Sequence, residues 1–219
     1  GGGRPGPVRG EAMRICEIFR SLQGEGVMIG IPTVFIRTVG CNLSCSWCDT
    51  AYSREGGEEM TLEEIVSRIG PTRHICLTGG EPLLQDDAVP LTQMLLDSGR
   101  HVTLETNGSM DISGLPDHPS LLVSMDIKCP MSGMEHRMRL ENLSSLKEKD
   151  QLKFIIADGY DLNYAVNVLR HHEVRCNVVL SPVGGMDLEP LAEEVLASGL
   201  EVRVLPQLHK IIWGERKGV

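Results

Sequence analysis

Val34-Phe35-Ile36-Arg37-Thr38-Val39-Gly40-Cys41-Asn42-Leu43-Ser44-Cys45-Ser46-Trp47-Cys48 couples a β-branched run to a loop bearing three thiols in eight residues. A strand that is apolar through most of its length, instead of alternating, is covered on both faces, as strands of parallel sheets are. Similar runs recur at His74–Thr78, His101–Glu105, Leu121–Asp126, Leu152–Ala157, Arg175–Leu180 and Glu201–Leu205, which makes seven strands in all. Amphipathic stretches lie between them. Thr61-Leu62-Glu63-Glu64 reads as a capping box, with Ile65, Val66 and Ile69 on the face of Leu62. Asp161 and Asp187 are the expected N-caps of two further helices, and Gly99 and Gly199 stand where helices should stop. The stretch Met131–Asp150 lacks regular periodicity.

Alternating β and α units imply an α/β fold with a parallel sheet and right-handed crossovers. A full eight-fold barrel takes about 250 residues, and this chain has 219. The expectation is therefore a truncated, partial TIM-like barrel, one domain from residue 13 to 219. Residues 1 to 12 carry five glycines and two prolines and are expected to be a disordered leader or expression remnant, with the native start at Met13. In barrel folds the chemistry collects at the C-terminal strand ends. Three motifs fall there: Cys41–Cys48, Gly79-Gly80-Glu81 and Thr106-Asn107-Gly108.

Composition narrows the options. The net charge of −9 argues against a nucleic-acid binder, which needs a basic face. There is no apolar run near the ~18 residues of a membrane helix. Seven cysteines, an odd number, argue against a complete disulfide framework and for a reducing, cytoplasmic setting. Cys16, Cys76 and Cys176 read as buried small apolar residues. Cys129, near the expected site, is a candidate reactive thiol.

The spacing C-x3-C-x2-C supplies soft thiolates suited to zinc, copper(I) or an iron–sulfur cluster. Structural zinc takes four protein ligands, and only three clustered cysteines occur; a remote fourth such as Cys76 is the bland alternative. Three thiolates on a four-iron cluster leave one iron open to a small molecule. Gly79-Gly80-Glu81 closes a strand about thirty residues on. Its glycines let a ligand approach the backbone, and Glu81 can accept hydrogen bonds from an ammonium group. Together the two motifs resemble the radical S-adenosylmethionine superfamily. That resemblance implies a [4Fe–4S] cluster on Cys41, Cys45 and Cys48 that binds S-adenosylmethionine and cleaves it reductively to a 5′-deoxyadenosyl radical.

The chain's two ends are more specific. Phe19-Arg20-Ser21-Leu22-Gln23-Gly24-Glu25-Gly26, Cys48-Asp49-Thr50 and Pro206-Gln207-Leu208-His209-Lys210 resemble the 7-carboxy-7-deazaguanine synthases, and the match runs from about Met13 to Val219. The resemblance implies a homodimeric lyase. It would convert 6-carboxy-5,6,7,8-tetrahydropterin to 7-carboxy-7-deazaguanine with loss of ammonia, on the route to queuosine or archaeosine. Magnesium and a reductase such as flavodoxin or ferredoxin would be needed. Leu22, Gln23, Gly24, Arg37, Thr78 and His209 would contact the pterin, with Arg37 on its carboxylate. Thr50 would ligate magnesium, and Glu105 is the candidate base. Gly79, Gly80, Glu81, Ser124, Lys128 and Ser181 would contact the cosubstrate. Ser124-Met125-Asp126-Ile127-Lys128 departs from the Ser-Pro-Lys of many relatives, and Asp-Ile-Lys also occurs in glycyl-radical activases. An activase, or a non-catalytic iron–sulfur or zinc protein, remains the alternative at this point.

Overall fold

The computed structural model describes residues 12–219, so a leader at residues 1–11 lies outside the described residues. Ala12, assigned with that leader, instead opens the first strand and pairs with Thr61. Nine strands form one sheet, in the order β3-β1-β2-β4-β5-β6-β7-β8-β9. They span β1 (Ala12–Leu22), β2 (Pro32–Thr38), β3 (Glu58–Thr61), β4 (His74–Gly79), β5 (His101–Thr106), β6 (Leu121–Ile127), β7 (Gln151–Ile156), β8 (Asn177–Pro182) and β9 (Arg203–Val204). From β2 to β9 every neighbour is parallel, as the apolar runs require. This is the expected partial barrel, with β3 and β9 as free edges.

Strands β1 and β3 are the two that patterning missed. Both pair antiparallel at one edge. They are half-solvated there, so their apolar content is diluted by Arg14, Glu17, Arg20, Glu58 and Glu59. An antiparallel edge strand on a parallel sheet can present one wet face.

The helices α1 (Leu62–Ile69), α2 (Ala88–Asp97), α3 (Gly159–His171), α4 (Glu189–Ser198) and α5 (Leu208–Trp213) complete the fold. The Thr61/Glu64 capping box forms reciprocally, with Thr61 N donating to Glu64 at 2.8 Å and Glu64 N to Thr61 Oγ1 at 3.2 Å. Two expected caps are corrected. Asp158, not Asp161, caps α3 by accepting from Tyr160 and Asp161 N–H groups. Asp161 lies inside the first turn, fully buried, and takes the N–H groups of Met131 and Ala157. Asp187 caps nothing, because α4 starts one residue later behind Leu188 with no side-chain cap. The stretch without periodicity folds as short 3-10 turns. The core packs on one face of the sheet, around Ile36, Leu77, Leu104, Met125 and Phe154, and the opposite face turns Arg37, Thr78, Glu105, Asp126 and Lys153 toward the cavity described below. Among the described residues no helix is long and apolar enough to cross a membrane.

Candidate active site

The strand ends of β2, β4 and β5 place the three motifs around one cavity of about 590 Å³. Cys41, Cys45 and Cys48 line it, with Gly79, Gly80, Asn107 and Lys128. The two-glycine segment is a spacer. A Cβ on Gly80 would lie 2.1 Å from Gly40 O and 2.7 Å from Cys41 Cβ, so only glycine allows β4 to press against the cysteine loop. Glu81 N donates to Gly40 O at 2.8 Å across the same seam. Asn107 Nδ2 then ties the loop from β5, 3.0 Å from Asn42 Oδ1 and 3.7 Å from Cys41 Sγ.

The donor set fits an iron–sulfur cluster. Burial pushes the Cys45 thiol up while the Lys128 charge pulls it back, and a bound metal replaces the remaining proton. Among the described residues no three His, Cys, Asp or Glu side chains converge on a single metal ion. Of the described residues, three thiols and no fourth cysteine line the cavity, a set that suits an iron–sulfur cluster with one open iron better than a four-coordinate structural zinc. Cys76, the alternative fourth ligand, sits wholly buried in β4 and lies 3.7 Å from Gln23 Nε2 instead.

Glu81 corrects an expectation. Its carboxylate is fully buried and points away from the cavity. It accepts from Asn107 N at 2.6 Å, Leu83 N at 3.0 Å and Thr106 Oγ1 at 3.0 Å. Burial lifts its carboxyl to about 7, against the pull of those backbone N–H groups. It anchors the Asn107 turn and is not available to an ammonium group.

The second wall gathers the expected pterin contacts. Leu22, Gln23, Gly24, Arg37, Thr78, Glu105 and His209 all line the cavity. Glu105 is held at both oxygens, by Gln23 Nε2 at 3.2 Å and Thr78 Oγ1 at 2.9 Å. Arg37 Nε donates to Glu17 Oε1 at 2.7 Å. A Cβ on Gly24 would fall 2.1 Å from His209 Nδ1, so the missing side chain lets the C-terminal segment close directly on the β1 loop. Leu208 N seals that contact by donating to Gly24 O at 2.8 Å. Thr50 also lines the cavity, with Oγ1 3.8 Å from Cys48 Sγ.

Sequence reading missed a third feature, a chain of charges in which Lys153 is buried and Lys128, Asp126 and Glu25 are half-buried. Lys128 Nζ meets Asp126 Oδ2 at 2.5 Å, Asp126 Oδ1 meets Lys153 Nζ at 3.2 Å, and Lys153 pairs with Glu25. Gln207 Nε2 donates to the other Glu25 oxygen at 2.6 Å. Despite desolvation, the Lys153 charge and these hydrogen bonds hold Glu25 down at about 2. Asp126 is likewise lowered, by Lys128 and Lys153 against its burial. The only hint was the presence of Asp126 and Lys153 inside otherwise apolar strands.

Three further expectations fail. Ser124 is buried beneath the floor and accepts from Gln151 Nε2 at 2.7 Å. Ser181 donates to Leu205 O at 2.7 Å, joining β8 to the segment after β9. Neither lines the cavity. Cys129 is buried too, and desolvation raises its thiol strongly, which makes it inert instead of reactive. Lys128 does line the cavity, at the thiol end of that charge chain.

The model of the radical SAM superfamily matches residues 35–128, from within β2 to the first residue after β6. The 7-carboxy-7-deazaguanine synthase of Methanospirillum hungatei JF-1 is 43% identical over 208 residues, covering 94% of this chain and 87% of that protein. The chain belongs to the 7-carboxy-7-deazaguanine synthases. The Thermoplasma acidophilum member is 39% identical, over 94% of this chain and its own full length. The crystal structure of QueE from Escherichia coli superposes with a TM-score of 0.73 at 27% identity, covering 90% of this chain and 95% of that one. Streptococcus suis SuiB, bound to its precursor peptide, shares the fold alone, at 13% identity and a TM-score of 0.57. Membership in the synthases sets aside the activase and the non-catalytic iron–sulfur protein.

Proposed function

We propose that this radical S-adenosylmethionine lyase converts 6-carboxy-5,6,7,8-tetrahydropterin to 7-carboxy-7-deazaguanine by radical ring contraction with loss of ammonia, for queuosine or archaeosine. One observation carries the reading: three thiols and a held carboxylate with a neighbouring guanidinium face one another across a single cavity. When bound, the cluster on Cys41, Cys45 and Cys48 and its S-adenosylmethionine supply the 5′-deoxyadenosyl radical.

The chain's own groups do the rest. Gly79 and Gly80 line the cavity beside the thiols, where their backbone can meet the amino-acid end of the cosubstrate, and Lys128 stands near for its carboxylate. Arg37 takes the pterin carboxylate, while Gln23, Gly24, Leu22, Thr78 and His209 frame the ring. Glu105 keeps free lone pairs on both oxygens even while accepting from Gln23 and Thr78, so it can remove a proton at a fixed position. Thr50 offers a hydroxyl to magnesium, which favours oxygen and takes few protein ligands. We assign the reductant to a flavodoxin or ferredoxin, the assembly to a homodimer and the compartment to the cytoplasm.

The test is to supply the carboxy-tetrahydropterin, reductant and S-adenosylmethionine with and without magnesium. The wild type should form the deazaguanine, and Thr50→Ala should lose most product while still cleaving S-adenosylmethionine. A chain that cleaves S-adenosylmethionine but never transforms this pterin overturns the substrate reading.

A further inference from the structure

A β-bulge sits at the edge of the cavity. Ile15 pairs with Thr38 and Glu17 with Arg37, so Cys16 is one residue too many on β1. Without it Cys16 would stand opposite Arg37, and Glu17 would face Ile36, on the other side of the sheet. A one-residue change of register reverses every side chain beyond it, and bulges near functional sites re-aim particular ones. Here the bulge brings a carboxylate to the same face as the cavity's guanidinium.

That carboxylate grips Arg37 from behind. Arg37 Nε and the Tyr52 hydroxyl both donate to Glu17 Oε1, at 2.7 and 2.8 Å. The Phe19 and Tyr52 rings flank the guanidinium, with its carbon 5.7 and 5.9 Å from their centroids. Burial and the bond to Glu17 push the Tyr52 hydroxyl up to about 12, so it stays a donor. An arginine can meet a carboxylate side-on, through Nε and one terminal nitrogen, or end-on, through both terminal nitrogens. Glu17 occupies Nε and leaves the end-on fork for the cavity.

We propose that Glu17, aimed by the bulge at Cys16, is a positioning residue that fixes Arg37 for end-on recognition of the substrate carboxylate. The inference rests on the reading of Arg37 given above. Position requires an acceptor at Oε1 more than it requires a charge, and this separates the variants. Glu17→Ala should raise KM for the carboxylated pterin about tenfold with kcat within about twofold. Glu17→Gln should restore most of the affinity, because an amide oxygen still accepts from Nε and Tyr52. A tetrahydropterin lacking the carboxylate, used as a competitive inhibitor, should bind wild type and Glu17→Ala equally. In an Arg37→Ala background, Glu17→Ala should add nothing.

The proposal is overturned if Glu17→Ala leaves KM unchanged, or weakens both pterins alike, as a general loosening of the edge would. It is overturned equally if Glu17→Gln behaves like Glu17→Ala. If Arg37→Ala itself leaves KM unchanged, the underlying assignment of Arg37 has failed instead. S-adenosylmethionine cleavage without pterin, followed in every variant, shows that the fold and cluster persist.

Discussion

The two sides of the cavity are built on different physics. The thiol wall is made of backbone pressed against backbone, Gly80 against Gly40 and Glu81 N on Gly40 O, with the Asn107 side chain over Cys41. The floor is made of side-chain charge, Lys128–Asp126–Lys153–Glu25, which starts beside Cys45 and runs to Gln207 with its side chains mostly out of water. One wall fails when a methyl group is added; the other fails when a charge is removed. Close packing tolerates little extra volume, and a buried charge tolerates no missing partner.

The largest effect should come from the thiol wall. Cys45→Ala should abolish both iron retention and S-adenosylmethionine cleavage, and Cys76→Ala should leave both intact. Gly80→Ala should cost on the order of a hundredfold in cleavage, since displacing reacting groups by about 1 Å costs that much. Iron and sulfide content with 5′-deoxyadenosine yield read both. A Gly80→Ala variant with normal yield would mean that the seam gives way easily, and the contrast between the walls would lose its basis.

The same contrast explains what was legible in the sequence. Parallel strands, the capping box at Thr61 and the thiol loop all depend on residues close in sequence, so local spacing revealed them. Leu22, Gln23, Arg37 and His209 reach the cavity as the family resemblance implied. The charged floor stayed hidden because its contacts are remote: Glu25 meets Lys153 128 positions away and Gln207 182 positions away. Glu81 and Ser181 stand near strand ends and Ser124 within β6, but their side chains are taken by backbone or side-chain partners away from the cavity. Strand position fixes where a residue lies, not what its polar atoms are spent on. Strand β1 was missed for a related reason, since a wet edge face and a bulge blur the alternation.

The floor should answer in stability. Lys153 is 7% exposed and lies against both Glu25 and Asp126. Lys153→Met would leave two carboxylates facing each other, and breaking a buried pair costs about 3–5 kcal/mol. Lys128→Met should cost less, because Asp126 would keep Lys153. Urea midpoints rank the two variants. If Lys128→Met is the more damaging, the centre of the network lies nearer the cluster than the floor.

The smallest effect also separates the walls, by the sign of their pH dependence. Glu81, on the thiol side, has its carboxyl raised from 4.5 to about 7 by burial, against backbone N–H groups. The folded chain therefore holds that proton more tightly than the unfolded one. Its contribution to stability is fully present below 4.5 and is lost as pH rises through about 7. Glu25, in the floor, is lowered from 4.5 to about 2, where the Lys153 charge overrides desolvation. Its contribution is fully present above 4.5 and is lost as pH falls through about 2. The windows are adjacent and the slopes opposite. Glu81→Gln should gain on wild type between about pH 5 and 8, with little further change in more acid solution. Glu25→Gln should keep a constant deficit over that range and close it only below about pH 4.5. A shift of one pKa unit corresponds to about 1.4 kcal/mol, so each window should span on the order of 3 kcal/mol in urea unfolding of the cluster-free chain. Two variants that run parallel to wild type throughout would show that neither carboxylate feels its wall differently from water.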